Sequence, residues 1–276
     1  VNAFLVAGAV ALQTHRSLAQ VWLTYNRYDL PQHVALYVMG PLAALVAQIS
    51  PWALAIMIIP VALIYVSFKN NALLRFQTKE AVETLADTID MRDPYTFQHS
   101  QRVARYAREL AVLAGLPEDV VDTIESAARV HDLGKIGVDT SILAKPTALS
   151  EAEWETMRKH PEIGASIVGR FPFFRSGRDF ILHHHERYDG QGYPGGKHGD
   201  EIPIGARIIA LADAFDAMTS DRPYRRALPI QAVLRELEQH KGSQWDPQVT
   251  EVLTGILRQE LRGQRTAVLV PSLVSA

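Results

Sequence analysis

Six histidines lie between residues 99 and 185, in a chain that has ten histidines and no cysteine. Histidines bind divalent metals when carboxylates lie nearby, and imidazole with carboxylate suits iron, manganese, nickel or zinc. The absence of cysteine excludes disulfides, thiolate zinc sites and cysteine nucleophiles, so any metal ligands must be His, Asp or Glu. The clustered residues are His99, His131, His160, His183, His184 and His185.

His131 and Asp132 follow an apolar stripe that is expected to face the core, formed by Val120, Ile124 and Ala127. A polar pair at the core end of a helix needs a partner, because unpaired buried polar groups are costly. A metal would be such a partner. Taken alone, a histidine at this position is more often a core imidazole that is hydrogen-bonded to a carbonyl.

The histidine triplet and a later aspartate add to this pattern. His184 shares a helix face with Ile181, and His185 lies at the edge of that face. His183 is rotated away by about 100°, which favours a structural role for it. Asp213 interrupts the apolar run IIALADAF at residues 208–215, where a buried carboxylate needs a compensating cation.

The elements that must position these side chains have helical periodicity, and alternating strand patterns are lacking, so the sequence predicts an all-α domain. Ser150 and Glu153 form a capping box that begins one helix, which Pro161 is expected to end after His160. An earlier apolar stripe stops at Gly115 and comprises Val103, Ala107, Leu110, Ala111 and Ala114. Further helices are expected near residues 178–187, 205–220, 230–240 and 247–261, the last of them capped by Asp246, with a long loop at 188–203.

Residues 30–68 contain no Lys, Arg, Asp or Glu. Because a bilayer span needs about 20 mainly apolar residues, this stretch predicts a transmembrane helical hairpin with spans at residues 33–49 and 52–68. Pro51 and Trp52 lie at the expected turn. The alternative is a buried helical hairpin inside a soluble domain, but the neighbouring sequence lacks the polar faces that such helices need.

Basic residues on both flanks set the expected orientation. Arg16 and Arg27 precede the first span, and Lys69, Arg75 and Lys79 follow the second, so both flanks are expected in the cytoplasm. We therefore predict a multi-pass protein of the inner membrane whose remaining domain faces the cytoplasm. The apolar run at residues 1–12 could end a further, partial span, and it lacks the basic leading region of a signal peptide.

The predicted organisation is a membrane segment at residues 1–68, a connecting helix at 69–92, a catalytic domain at 93–262 and a loose tail at 263–276. In the connecting helix, Val82, Leu85 and Ile89 form an apolar seam that either pairs two copies as a homodimer or packs on its own domain. After residue 68 the chain carries 26 basic and 29 acidic side chains, a balance that argues against DNA or RNA as a partner.

Five segments in fixed order resemble the HD-GYP domain, a bacterial signal-transduction branch of the HD metal-dependent phosphohydrolases. The resemblance covers about 175 residues, from roughly residue 87 to residue 261. An ordered set of five segments is far more specific than a lone His-Asp pair. The matching segments are DPYTFQHS (93–100), HDLGKIG (131–137), HHHERYDGQGYP (183–194), DRPYR (221–225) and GSQWDP (242–247). The resemblance implies an HD-type helical bundle.

The resemblance also implies a binuclear metal centre that is bridged by Asp132 and by a water or hydroxide. It assigns His99, His131 and Asp213 to one divalent metal, and it assigns three histidines to the other, namely His160, His184 and His185. Iron or manganese is the expected metal, with nickel, zinc and magnesium as alternatives. The hydroxide would attack phosphorus directly, so no protein nucleophile is needed.

Lys135 and Asp93 match family positions that assist the leaving oxygen, although Lys135 would otherwise be read as a surface lysine at a helix end. Gly192, Tyr193 and Pro194 match the loop that lines the family's substrate groove. Two further substrate contacts are expected from basic residues that match the family's phosphate contacts, with surface ion pairing as the alternative; these are Arg222 and Arg225.

One position departs from the family pattern. Members that hold three metals have a glutamate four residues before the histidine that corresponds to His99, and this position is Tyr95 here. Tyrosine is a poor substitute ligand, so we predict two metals.

The function implied is hydrolysis of cyclic di-GMP to linear pGpG, with further cleavage to GMP left open. An HD phosphohydrolase for another nucleotide or cyclic dinucleotide is a second hypothesis. A catalytically silent scaffold is the third, although the expected ligands are all present in the sequence.

Overall fold

The computed structural model describes residues 30–92, 98–221 and 226–263. Over these ranges the protein is all-helical, and the one β-bridge, between Lys241 and Trp245, belongs to no strand. Short 3₁₀ turns separate several of the helices. The helices are α1 (Leu30–Ile49), α2 (Leu54–Arg92), α3 (His99–Leu113), α4 (Glu118–Ala128), α5 (Thr140–Leu143), α6 (Glu151–Met157), α7 (His160–Val168), α8 (Arg178–Leu182), α9 (Ile204–Thr219), α10 (Ile230–His240) and α11 (Pro247–Leu261).

The chain divides into two compact units between Thr78 and Lys79, a boundary that lies inside α2. In the first unit a 3₁₀ turn at Pro51–Ala53 separates α1 from α2, where a turn was expected. Among the described residues, α2 alone is both long and apolar enough by composition to cross a bilayer, while Tyr37–Ile49 in α1 is shorter. The apolar run at residues 1–12 lies outside the described residues.

The predicted transmembrane hairpin is not shown, because α2 alone among the described helices is long and apolar enough to cross a bilayer. Large apolar side chains are exposed in both helices, such as Ile49 of α1 and Ile56 of α2, and Trp52 of the turn between them is exposed as well. A helix that is apolar all round has no preferred seam for a neighbouring helix. Its composition therefore does not specify which helix lies beside it.

The end of α2 belongs to the core of the second unit. Val82, Ala86 and Ile89 are at most 3% exposed, whereas Leu85 is 50% exposed. The predicted seam of Val82, Leu85 and Ile89 was therefore wrong in its middle residue, which points outward. Val82 and Ile89 pack on their own domain, and pairing of two copies through this helix stays a prediction.

Helix α3 packs most extensively against α4 and α9 and carries the predicted apolar stripe into the core. Val103, Ala107, Leu110 and Ala111 are buried, as expected, but Ala114 is exposed at the helix end. The chain leaves the helix through Gly115, whose φ of +75° is unfavourable for any residue with a Cβ.

The capping box at the start of α6 is confirmed. Ser150 accepts a hydrogen bond from the Glu153 backbone, and the Glu153 carboxylate accepts one from the Ser150 backbone. The expectation that this helix continues to His160 was wrong, because α6 ends at Met157 and Pro161 lies in the first turn of α7. Proline suits a first turn, where its missing N–H has no helical partner.

Asp246 caps α11 as its sequence position predicted. Its side chain accepts hydrogen bonds from the backbone N–H groups of Gln248 and Val249, and it also pairs with Arg207 of α9 at 2.5 Å. The carboxylate is 3% exposed, so one buried group both begins α11 and ties that helix to α9.

Replacing this carboxylate tests its structural role. We expect Asp246→Ala to lower the free energy of unfolding by about 2 kcal/mol, because it removes a helix cap and the partner of a largely buried guanidinium. Asp246→Asn is the matched control, since it keeps an acceptor for the backbone while removing the charge, and it should lose less. Thermal unfolding of the full chain in detergent measures both, and equal midpoints for all three proteins would contradict the assignment.

Candidate metal centre

Five separate segments deliver the predicted ligands to one place. His99 is the first residue of α3, His160 is the first residue of α7, and Asp213 lies within α9. The remaining ligands lie on the turns that follow α4 and α8, namely His131, Asp132, His184 and His185. The structure thus brings six of the seven predicted ligands into two groups that share Asp132, and the seventh, Asp213, lies 3.3 Å from His99 Nε2.

Asp132 belongs to two groups of side chains whose donor atoms lie within 4.8 Å of one another. In the first group it joins His99 and His131, whose Nε2 atoms are 4.0 and 3.5 Å from its Oδ2. In the second it joins His160, His184 and His185, with the His160 Nε2 atom 3.3 Å from its Oδ1. The two carboxylate oxygens therefore face different sets of imidazoles, as a bridging ligand would.

Three of the histidines are oriented by the same kind of hydrogen bond to the backbone. In each, the ring Nδ1 lies 2.6 to 2.8 Å from the backbone carbonyl three residues earlier, which fixes Nδ1 as the protonated nitrogen. The Nε2 atoms that remain are buried and have no hydrogen-bond partner. The pairs are His131 with Ala128, His160 with Met157, and His184 with Ile181.

These unpartnered Nε2 atoms show that the residues fit divalent metals. Neutral imidazole nitrogens aimed at a shared carboxylate are the donor set expected for iron, manganese, nickel or zinc. Burial lowers the pKa of His160 and lowers the pKa of His184 well below its ordinary value. Burial together with the nearby His160 lowers the pKa of His185 to about 3. These rings are therefore neutral at physiological pH, which is the form that binds a metal.

His99 is oriented by a carboxylate instead of a carbonyl. Its Nδ1 lies 2.8 Å from Asp216, and its Nε2 lies 3.3 Å from Asp213. Burial disfavours the charged ring, but hydrogen bonds with both carboxylates outweigh it and raise the pKa of His99 to about 10. Without a metal the ring is therefore an imidazolium, and a metal that binds Nε2 must displace a proton.

Asp216 is a functional residue that the sequence reasoning missed. It is buried one turn after Asp213 on α9, and it accepts from Arg102 Nε at 2.6 Å and Nη2 at 3.0 Å. Its hydrogen bonds with His99 and Arg102 lower its pKa although burial opposes this. The signal was present in the sequence as a second carboxylate three residues after the first in an apolar helix.

Lys135 lies in the 3₁₀ turn Leu133–Gly137, with its Nζ 2.7 Å from Asp132 Oδ2. Burial would raise the pKa of Asp132, but the nearby Lys135 ammonium and the surrounding histidines hold it well below its ordinary value. The lysine is therefore part of the centre and does not lie on the open surface. Asp93 and Tyr95 lie outside the described residues, so their predicted roles remain predictions.

The loop after the histidine triplet folds back over the centre. The Tyr193 ring stacks on His185 with centroids 4.9 Å apart, and burial raises the Tyr193 pKa above its ordinary value. Gly192 allows this return, because a Cβ there would lie 2.3 to 2.6 Å from backbone atoms of residues 185–187. Pro194 follows Tyr193 through a cis peptide bond. Arg222 and Arg225 lie outside the described residues.

His183 takes no part in the two ligand groups, in line with the structural role expected for it. Its Nδ1 lies 3.4 Å from Glu186, a buried carboxylate that accepts hydrogen bonds from the backbone of Gly195 at 2.6 Å and Lys197 at 3.1 Å. Glu186 thus anchors the backbone of the returning loop through these two hydrogen bonds. The sequence analysis assigned it no role.

Comparison with known proteins agrees with this geometry. The profile of the family described as "HD domain" matches residues 83–249, more than half of the chain. A cyclic di-GMP phosphodiesterase of Thermotoga maritima is 40% identical over 190 residues, which are 66% of this chain and 52% of that protein. A 3'3'-cGAMP-specific phosphodiesterase of Vibrio cholerae is 40% identical over 182 residues, 65% of this chain and 35% of that protein.

The cyclic di-GMP phosphodiesterase response regulator RpfG of Xanthomonas campestris is 41% identical over 177 residues, 63% of this chain and 47% of that protein. The chain thus spans about half or less of the length of these curated relatives. A crystal structure of a cyclic GMP-AMP specific phosphodiesterase of V. cholerae matches with a TM-score of 0.52 at 19% identity, covering 71% of this chain and 50% of that one. This last likeness concerns the fold alone.

The orienting role of Asp216 can be tested through metal binding. We expect Asp216→Asn to weaken binding at the His99 position about 10- to 100-fold, because an uncharged amide orients the ring Nδ1 less well than a carboxylate and removes the charge that pairs with Arg102. Metal titration of the metal-free full chain measures the change. Asp122→Asn, an exposed carboxylate on α4, is the matched control and should bind like the wild type. Equal affinity in both variants would contradict the role.

Proposed function

Because the chain belongs to the HD domain family, we propose that its second compact unit is a metal-dependent phosphodiesterase that hydrolyses cyclic di-GMP to linear pGpG. The observation that carries the proposal is the Asp132 carboxylate, whose two oxygens face two separate sets of imidazoles. The identity of about 40% to proteins named as cyclic dinucleotide phosphodiesterases supports the substrate class.

We assign His99, His131 and Asp213 to one metal position, and three histidines to the other, namely His160, His184 and His185, with Asp132 shared. Two divalent ions, iron or manganese before nickel, zinc or magnesium, would supply Lewis acidity and lower the pKa of water. Two ions are proposed because the Tyr95 position offers no carboxylate to a third.

The protein's own groups do the remaining work in this proposal. Lys135 is held beside Asp132, where its ammonium can donate to a phosphate oxygen or protonate the leaving 3'-oxygen. Water adds to phosphorus, the bond from phosphorus to the 3'-oxygen breaks, and the alcohol leaves with a proton. Asp93 and the basic residues Arg222 and Arg225 keep the roles that the family resemblance predicts for them.

Tyr193 is proposed to flank a base of the substrate. Its ring stacks on His185, one of the predicted ligands, so the Tyr193 side chain lies beside the ligand cluster. The glycine before it lets the backbone approach a ligand closely. Together, Gly192, Tyr193 and Pro194 form the proposed wall of the substrate groove.

The second candidate substrate is 3'3'-cGAMP, which is favoured by the 40% identity to a phosphodiesterase named as specific for it. This molecule differs from cyclic di-GMP in carrying adenine in place of one guanine. The metal cluster acts on the phosphodiester, so it does not discriminate between the two. Discrimination must come from groups that contact the base.

One assay tests the reaction and the substrate together. The purified full chain, loaded with Mn²⁺ or Fe²⁺ under anaerobic conditions, is incubated separately with cyclic di-GMP and 3'3'-cGAMP, and the products are separated by chromatography. We expect linear pGpG from cyclic di-GMP. Asp132→Ala should lose both metal and turnover because both metal positions share that residue, whereas Asp122→Ala should retain them. No linear product from either substrate, or turnover by Asp132→Ala, would sink the proposal.

We also propose that the first unit anchors the chain in the inner membrane as the predicted hairpin, with the HD domain in the cytoplasm. The support is the exposed apolar surface of α1 and α2, together with the length and composition of α2. Large contiguous apolar surfaces that are exposed to solvent are otherwise rare on soluble proteins. Lys69 and Arg75 of α2 follow the apolar part, as the positive-inside rule requires of a cytoplasmic flank.

Membrane anchoring predicts a simple fractionation result. After expression in a bacterium, the chain should sediment with the inner membrane, resist extraction by alkaline carbonate and be released by detergent. Ile56→Lys with Ile59→Lys should weaken retention, since each charge near the middle of a span costs about 2.5 to 3.5 kcal/mol. Leu73→Lys is the control, because residue 73 lies beyond the predicted span and a charge there should leave membrane retention unchanged. Extraction of the wild type by carbonate would contradict the proposal.

A further inference from the structure

A groove lined by arginines lies on the outer side of α7 and α8, the two helices next to His160, His184 and His185. Its volume is about 610 Å³, and much of it is open to solvent. Three arginines and one carboxylate supply its charge. Its lining includes Glu162, Ser166, Arg170, Arg175, Arg178 and Leu182.

The arginines are presented by a rigid turn. Arg175–Gly177 forms a 3₁₀ turn that leads directly into Arg178, and residues three apart lie on the same side of such a turn. Phe174 is buried before the turn, and Gly177 is buried within it, where an added Cβ would lie 2.9 Å from Ala127 of α4. The turn is therefore anchored on the core, and Arg175 and Arg178 share its outer face.

The end of α7 packs closely against Arg178. An added Cβ on Gly169, at the end of α7, would lie 3.2 Å from the Arg178 Cδ. Glycine here lets the Arg178 stem lie against the end of α7, on the same lining as Arg170.

The charges of this groove are poorly compensated. Among the described residues Arg170 and Arg175 have no ion pair, and Arg178 has only its chain neighbour Asp179 at 3.4 Å, an exposed pair of little strength. Glu162 is the single acidic side chain in the lining. Three arginines line this concave surface against a single carboxylate, so its net positive charge favours an anion.

We propose that this groove binds the phosphates of a nucleoside polyphosphate. Guanidinium groups bind phosphate oxygens in pairs, and three of them match two or more phosphate groups better than a single carboxylate. The space is larger than phosphate needs, and the Leu182 side chain with the Ser166 hydroxyl offers an apolar and a polar contact for the nucleoside. The site is distinct from the metal cluster and does not depend on the proposed reaction.

The binding experiment uses a GDP labelled with N-methylanthraniloyl and the full chain in detergent at low salt, with fluorescence anisotropy as the readout. Arg175→Ala should weaken binding about tenfold, the loss expected for one charge-assisted contact, and Arg170→Ala with Arg175→Ala about a hundredfold. Arg175→Lys should recover only part of the loss, because an ammonium lacks the planar fork. Arg235→Ala, an exposed arginine on α10, is the matched control.

Competition identifies the chemistry that is recognised. Unlabelled GDP and inorganic pyrophosphate should displace the probe, whereas guanosine should not. The Asp132→Ala protein should bind the probe like the wild type, so failure of the metal cluster cannot be mistaken for failure of the groove. The double arginine variant should retain turnover of cyclic di-GMP, if the wild type has it.

Three results would overturn the proposal. Probe binding that is lost in Asp132→Ala but kept in the double arginine variant would place the nucleotide at the metal cluster. Displacement by guanosine as efficiently as by GDP would exclude phosphate recognition. Unchanged affinity with a lowered melting temperature in the double variant would show that the arginines only stabilise the carboxyl end of α7.

Discussion

Four buried imidazoles constrain the rest of the second unit, because each has its Nδ1 tied to a protein oxygen, so that Nε2 is the nitrogen left to bind a metal. The tie is a carbonyl three residues earlier for three of them and the Asp216 carboxylate for His99. Such ties need a helix end or turn at each histidine, since only there does a backbone carbonyl remain free for a side chain. Several element boundaries in this unit therefore coincide with a ligand.

The close approach of the turn after α4 to the start of α7 follows from the same constraint. Asp132 can lie near His160 only if the two backbones nearly touch, and Gly134 makes this contact. A Cβ there would be 1.8 Å from the His160 carbonyl oxygen and 2.5 Å from the Gly164 nitrogen. The glycine of the HDLGK run thus has a packing reason as well as its place in the motif.

The full ligand set came from the family resemblance, which rests on ordered His and Asp motifs, because the apolar stripes alone left a core hydrogen bond as the alternative for His131. Sequence reasoning found the caps at Ser150 and Asp246 because these depend on neighbouring residues alone. It failed where a choice depended on tertiary contacts. The seam through Leu85, the end of α6 and the role of Asp216 each required knowledge of which surface lies opposite, and local periodicity does not carry that information. The first unit is the extreme case, since uniformly apolar helices leave their neighbours undetermined.

Glu186 has a consequence for how a substrate would be received. It accepts two backbone hydrogen bonds from the returning loop, while Gly192 allows the tight return and Tyr193 rests on His185. The loop is thus folded from within, by groups that no ligand supplies. A ligand that enters meets a wall already in its binding shape, so little conformational entropy is lost on association. Affinity in this part of the groove should then be governed by how fast the ligand leaves, more than by how fast the loop closes.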